Sequence, residues 1–265
     1  MNQMTTLRWT LEEDVLQYKL AGFDAIGLWL PKVLEYGEER SQAWLEENGL
    51  AVSTLSYIGG FTGAFGHELV DVLDEARQVI QLAGRLNAAS VICVSGPINN
   101  HITKHATRLV VDALSELADE AAQQKVTLSL LPMRKAFCRE WTFLNSLDEA
   151  LTVLDRVDHP AVRLAFDVYH LWPEKDLLSR IPKLLPRIGV VQVSDAPANA
   201  RGDFNRLLPG DGILPIGEVL SGLVEAGYRG YVDYQICSDT LWENMNLDWL
   251  QMARENFHRY CPVAH

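Results

Sequence analysis

Leu164-Ala165-Phe166-Asp167-Val168-Tyr169-His170-Leu171-Trp172 decides how the rest of the chain is read. It opens as an apolar run of strand type and closes on an acid, an aromatic and a histidine just before Pro173. A buried strand that delivers Asp and His at its C-terminal end is where α/β proteins put their chemistry. The run predicts a strand over Arg163–His170, and strand alternation sets Ala165, Asp167 and Tyr169 on one face.

Working outward, short β-type runs alternate with amphipathic helical segments. Strands are expected at Leu7–Thr10, Ala25–Leu30, Val52–Ile58, Ser90–Ser95, Val126–Met133, Gly189–Asp195 and Tyr231–Cys237, besides the one above. Helices are expected at Leu11–Ala21, Arg40–Asn48, Glu68–Leu86, Lys104–Gln124, Leu147–Val157, Lys175–Leu185, Ile216–Ala226 and Asp239–His258. The fourth helix is the clearest: Val110, Leu114, Leu117 and Ala121 recur at helical spacing, with Asp112, Glu116 and Asp119 on the other side. Eight strand–helix units in this length form the pattern of an α/β protein built as one (β/α)₈ TIM barrel, a single domain over 1–265. A doubly wound open sheet is the alternative, but no GxGxxG or GxxxxGK loop follows any strand.

The 265 residues carry a net charge of −12, with 48% hydrophobic and 22% charged residues, enough to bury a sizeable core without staples. That charge argues against nucleic acid as partner, because phosphate contacts need clustered Lys and Arg. The first residues, MNQMTTLRWTLEEDV, lack an apolar signal core, and no run is long enough to cross a bilayer. Cys93, Cys138, Cys237 and Cys261 are widely spaced and form no CxxC pair, which predicts reduced thiols. The expectation is a cytoplasmic protein with a small-molecule partner and neither nucleic acid nor membrane; a homo-oligomer is left open.

In a barrel the working residues project from strand C-termini. If Asp167 faces the mouth, the matching positions on the neighbouring strands are Leu131, Gln192 and Gln235.

With these positions in hand, the chain resembles the xylose isomerase-like TIM barrels, the superfamily of sugar and sugar-phosphate isomerases and epimerases. The resemblance runs nearly end to end. It lies in Gly22-Phe23-Asp24-Ala25-Ile26-Gly27-Leu28-Trp29, in Asp167-Val168-Tyr169-His170 and in Val191-Gln192-Val193-Ser194-Asp195. It continues in Asn205-Arg206, in Pro209-Gly210-Asp211-Gly212 and in Gly227-Tyr228-Arg229-Gly230-Tyr231.

The resemblance implies a divalent metal (Mn, Mg or Zn) held by Glu, Asp, His or Gln, and Glu from the fifth to eighth strands. The two glutamates double as the acid/base pair beside the sugar carbonyl. In this chain Leu131 and Gln235 stand where those glutamates are expected, while Asp167 and Gln192 keep the ligand pattern. The implied ligand set falls from three negative charges to one, so metal is expected to be absent or weakly bound. A positioned acid or base contributes roughly 10²–10⁴-fold, and neither Leu nor Gln supplies one.

The resemblance also makes His170 and Arg206 substrate-contacting residues. His101 and Trp29, at strand ends, join them as candidates for lining the mouth. His101 and His105 stand at the i,i+4 spacing that can chelate a metal, but no HExxH glutamate accompanies them. Glu140, Asp195 and Asp233 are the acids able to replace a lost catalytic base. The first reading is therefore an isomerase- or epimerase-like barrel that binds a carbohydrate or polyol at its C-terminal mouth with a depleted metal site and no catalysis. The alternatives are an active isomerase, epimerase or lyase with relocated acid/base groups, and a non-enzymatic interaction subunit.

Overall fold

The computed structural model describes residues 1–63, 68–135, 140–200 and 204–261. Its elements alternate along the chain: α1 Leu11–Leu20, β1 Ala25–Trp29, α2 Leu30–Tyr36, α3 Glu38–Asn48, β2 Ala51–Gly59, α4 Leu69–Arg85, β3 Ser90–Val94, α5 Thr103–Gln123, β4 Thr127–Leu130, α6 Leu147–Val157, β5 Val162–Asp167, α7 Val168–Leu171, α8 Leu177–Leu184, β6 Ile188–Val193, α9 Ile216–Ala226, β7 Val232–Tyr234, α10 Asp239–Asn244 and α11 Leu247–Tyr260. The seven parallel strands follow one another in the sheet in chain order, the strand order of a (β/α) barrel. No helix among the described residues is long and apolar enough to cross a membrane.

Local chemistry sets many of the boundaries. Thr10 caps α1 and Ser146 caps α6, each in a reciprocal capping box with the glutamate three residues on (Glu13, Glu149). Gly49 and Gly227 end α3 and α9 at positive φ. Pro31, at the first turn of α2, marks a helix that apolar periodicity alone passes over. Met245–Asn246 divides the expected long C-terminal helix in two, with Asn246 capping the second.

By its contacts the chain falls into two compact units. The first comprises residues 1–53, 167–186 and 191 onward. Here β6 pairs with β7 in the register Val191↔Val232, Gln192↔Asp233 and Val193↔Tyr234. The expected first strand at Leu7–Thr10 is a turn. Residues 1–3 take the strand's place instead: Asn2 N–H donates to the Tyr234 carbonyl (2.9 Å), Gln3 N–H to that of Gly27 (2.8 Å), and Gly27 N–H to that of Met1 (2.9 Å). This stave is polar on the inside, which is why it does not read as a strand. Gln3 and Thr6 are buried and hydrogen-bond the Asp14 carboxylate, which also pairs with Lys32.

The second unit comprises Thr54–Phe166 and Arg187–Val190. β3 pairs with β2 and β4, and β4 with β5. Ile92, Val94, Leu131, Met133, Ala165 and Val190 form a buried apolar cluster against which Tyr57 packs. Gly189 is required by close approach: a Cβ there would collide with the Ser129 hydroxyl, which is buried and bonded to Ser90.

Candidate functional site

β5 ends earlier than expected, at Asp167, and the chain turns at once into the short helix α7. Asp167 is the hinge between them. Its Oδ1 accepts the Tyr169 N–H (2.8 Å), capping the helix, so Tyr169 and His170 sit on a helical turn rather than on the strand face. The strand alternation expected through Tyr169 therefore stops at Asp167.

The other carboxylate oxygen meets Arg206. Arg206 Nη1 lies 3.1 Å from Asp167 Oδ2 and 3.3 Å from Ser194 Oγ, and Nη2 lies 2.9 Å from His170 Nε2. The guanidinium carbon stands 4.3 Å from the centroid of the Tyr169 ring. Asp167, His170 and Arg206 are 1%, 4% and 2% exposed, so this is a desolvated ion pair and its charges attract strongly. A guanidinium has no acceptor, so His170 Nε2 must be the acceptor in its bond to Arg206. The imidazole is then neutral, with its proton on Nδ1.

Gln192 and Ser194 alternate onto the same side of the β6 end. Gln192 Nε2 donates a short hydrogen bond to Gln235 Oε1. Among the described residues, the buried Gln192 Oε1 accepts no hydrogen bond, and neither does the buried Oδ1 of Asn205, beside Arg206 in sequence.

Asp195 organises the loop that carries Arg206. Its Oδ1 accepts the N–H groups of Ala196 (2.8 Å) and Leu214 (2.9 Å), and its Oδ2 those of Gly210 (2.8 Å) and Gly212 (3.1 Å). Backbone pairing continues from Asp195 to Leu207 and from Arg206 N–H to the Cys237 carbonyl (3.0 Å). Gly212 is needed here, since a Cβ would collide with the Asp195 carboxylate.

The remaining candidates are dispersed. Asp233 Oδ2 accepts from Asn2 Nδ2 (2.8 Å) in the buried interior of the first unit. Trp29 is half-buried at the end of β1, its N–H donating to Gln3 Oε1 (2.8 Å). In the second unit, Leu131 belongs to the apolar cluster, one residue beyond the end of β4. Glu140 is exposed. His101 Nε2 donates to the Thr62 carbonyl (3.0 Å), and its ring centroid lies 4.9 Å from that of His105. Cys93 and Cys261 are buried; Cys138 lies outside the described residues.

Thus Asp167, His170 and Arg206 come together, and Gln192 joins Gln235. Two members of the site were not singled out from the sequence: the Tyr169 ring under Arg206 and the Ser194 hydroxyl. Both lie inside motifs quoted above, but only the fold brings them to Arg206.

Comparison with known proteins now places the chain. Residues 16–258 match the model of the xylose isomerase-like TIM barrel family, and the chain belongs to that family. It is 27% identical to a putative hydroxypyruvate isomerase of Homo sapiens over 183 residues, 66% of this chain and 62% of the relative, so the match spans less than two thirds of that protein. It is 23% identical to an inosose isomerase of Halalkalibacterium halodurans, over 89% of this chain and 86% of the relative. The crystal structure of the IolI protein with a bound zinc superposes with a TM-score of 0.87 at 18% identity, covering 99% of each chain, a likeness of fold.

Proposed function

We propose that this protein is an isomerase- or epimerase-like barrel, a single domain over 1–265, that binds a sugar or polyol at the C-terminal ends of its strands by hydrogen bonding and does not run metal-dependent proton transfer. The observation that carries this reading is the buried Asp167–Arg206–His170 cluster, a charge-balanced site with the unsatisfied Gln192 Oε1 on the same side of β6 as Ser194. A hydroxyl-rich ligand both donates and accepts, which matches a site offering guanidinium donors and a buried amide acceptor. The family relatives named for inosose and hydroxypyruvate support a small oxygenated ligand.

The residues at this site do not fit a divalent cation. Hard cations take carboxylate oxygens, and Asp167, the carboxylate of this cluster among the described residues, holds a helix N–H on one oxygen and a guanidinium on the other. Gln192 and Gln235 are neutral amides, Gln192 Nε2 donating to Gln235 Oε1. Among the described residues no group of three or more His, Cys, Asp or Glu is placed to share a metal. Nor do the spare acids supply a base in this reading: Asp195 is occupied by four backbone N–H groups, Asp233 accepts from Asn2, and Glu140 is exposed.

The test is calorimetric titration of the purified protein, in a chelator, with myo-inositol, inosose and D-psicose. Binding of at least one, unchanged by the chelator and lost in Arg206→Gln, is expected. Binding that requires added Mn²⁺ or Zn²⁺, or stoichiometric metal in the purified protein by elemental analysis, would overturn the proposal.

A further inference from the structure

Asp195 is wholly buried, and the function proposed above gives it no ligand to hold and no proton to move. What it holds is backbone. We infer that Asp195 is a positioning residue: its carboxylate fixes the loop that presents Arg206, and through Arg206 it sets the tautomer of His170 and the affinity for the polyol. The inference rests on the functional reading above and deepens it, assigning part of the recognition to a residue that touches no ligand.

Three observations carry it. The first is saturation of the carboxylate. An ionised carboxylate only accepts, at about four lone-pair sites on its two oxygens. Four N–H groups meet them: Ala196 (2.8 Å) and Leu214 (2.9 Å) on Oδ1, Gly210 (2.8 Å) and Gly212 (3.1 Å) on Oδ2. Hydrogen bonds to a charged acceptor are the strong ones.

The second is reach. The donors come from both sides of Arg206 in the chain, Ala196 before it and Gly210, Gly212 and Leu214 after it. The backbone of Asp195 also pairs with Leu207 in both directions, at 2.8 and 2.9 Å. One residue therefore grips the returning segment twice, by its main chain at Leu207 and by its side chain just beyond. The other side of the segment is tied by Arg206 N–H to the Cys237 carbonyl (3.0 Å) and by Asn256 Nδ2 to the Pro209 carbonyl (2.6 Å).

The third is the path into the site. Arg206 is the neighbour of Leu207, and Ser194, its hydroxyl partner at 3.3 Å, is the neighbour of Asp195. The guanidinium reaches Asp167 at 3.1 Å and His170 Nε2 at 2.9 Å. The bond to Nε2 keeps the imidazole proton on Nδ1, so the tautomer of His170 reports where the guanidinium stands.

Asp195→Asn separates positioning from bulk. It keeps the size of the side chain but turns one acceptor oxygen into an NH₂ donor. Whichever way the amide is set, two backbone N–H groups then face a donor, and the loop must shift to satisfy them.

The experiment compares the wild type, Asp195→Asn and Lys32→Met, the last a destabilised variant of the Asp14–Lys32 pair. Calorimetric titration with myo-inositol, inosose and D-psicose in a chelator gives the affinity, and circular dichroism verifies folding. The nitrogen chemical shifts of the His170 imidazole give its tautomer. Asp195→Asn is expected to bind at least about tenfold more weakly, the scale of one hydrogen bond to a charged group, and to shift His170 toward the Nε2–H tautomer. Lys32→Met is expected to lose stability with both readings unchanged.

Wild-type affinity and an unshifted tautomer in folded Asp195→Asn would overturn the inference, as would the same two changes in Lys32→Met. If Asp195→Asn does not fold, amide hydrogen exchange of the wild type decides. Slow, concerted exchange at Ala196, Gly210, Gly212 and Leu214 supports the inference, and fast exchange there overturns it. If the wild type binds none of the three ligands, the functional reading fails and the tautomer comparison alone decides: a shift supports the inference and its absence overturns it.

Discussion

Among the described residues of the first unit two Asp–Lys/Arg pairs are buried, and they are built to opposite ends. Asp14 and Lys32 are 0% and 5% exposed and 2.7 Å apart. Lys32 also donates to the Thr6 carbonyl, while Gln3 and Thr6 donate to the carboxylate. The network ties the polar stave at residues 1–3 to α1 and α2. Asp167 and Arg206 are as deeply buried, but beside them stand a neutral histidine and an aromatic face. Burial of a charged pair therefore does not distinguish scaffold from site. Both carboxylates have donors on both oxygens; what sets the second pair apart is Gln192 Oε1 on the same side of β6 as Ser194, a buried acceptor with no partner among the described residues, which a ligand of the proposed kind would satisfy.

Double-mutant cycles would test this contrast most severely. Lys32→Met alone should cost about 3–5 kcal/mol in denaturant unfolding, because Asp14 is left buried and uncompensated. The double variant Asp14→Asn/Lys32→Met should recover most of that loss and keep polyol binding. A loss under 1 kcal/mol for the single variant would mean that the pair does not organise the stave. Arg206→Gln should be destabilising by about 3 kcal/mol for the same reason. Here the double variant Asp167→Asn/Arg206→Gln should recover stability without recovering ligand binding. Recovered binding would remove the distinction between the pairs.

The pH dependence follows from burial. Desolvation, the largest influence, raises the Asp14 carboxyl to about 7 against the attraction of Lys32, and it lowers Lys32. A carboxyl whose folded value lies above its unfolded value of 3.8 favours the folded state at low pH. Its contribution is lost as pH rises from about 4 to about 7, with a slope of at most about 1.4 kcal/mol per pH unit. Lys32 contributes in the opposite sense, adding stability as pH rises through the window between its lowered value and 10.5. Unfolding free energies between pH 4 and 7 should show the Asp14 component in the wild type and not in Asp14→Asn; an identical slope in both would refute the assignment.

The smallest effect is expected from Ser194→Ala, which removes one 3.3 Å hydrogen bond to Arg206. It should cost about 0.5–1.5 kcal/mol in stability and weaken polyol binding by a similar amount. A change in stability with unaltered affinity would place Ser194 with the scaffold.

Much of the architecture was legible before any coordinates. The helical periodicity of Val110, Leu114, Leu117 and Ala121 returns as the buried face of α5. The apolar runs of β3 and β5 are buried strands. What misled was polarity and turn chemistry. Residues 1–3 carry no strand pattern because Asn2 and Gln3 are polar side chains satisfied inside the fold, by Asp233 on β7 and Asp14 on α1, whereas the expected first strand at Leu7–Thr10 is a turn. The expected strand through His170 ends at Asp167 because Asp167 caps a helix, a role that its side chain performs only in the folded geometry. Leu131 and Gln235 lie just past their strand ends for the same reason: strand boundaries depend on neighbours.

The sequence by itself determined the alternation of strands and helices, the motifs of the family, and the absence of carboxylates at positions 131 and 235, because these are properties of residue type and local period. Only the tertiary structure decided that the Asp167 carboxylate is matched by an arginine 39 residues away and that Asp195 is consumed by its own loop. Charges and hydrogen bonds act through space, and which donors reach which acceptors is settled by how the elements pack.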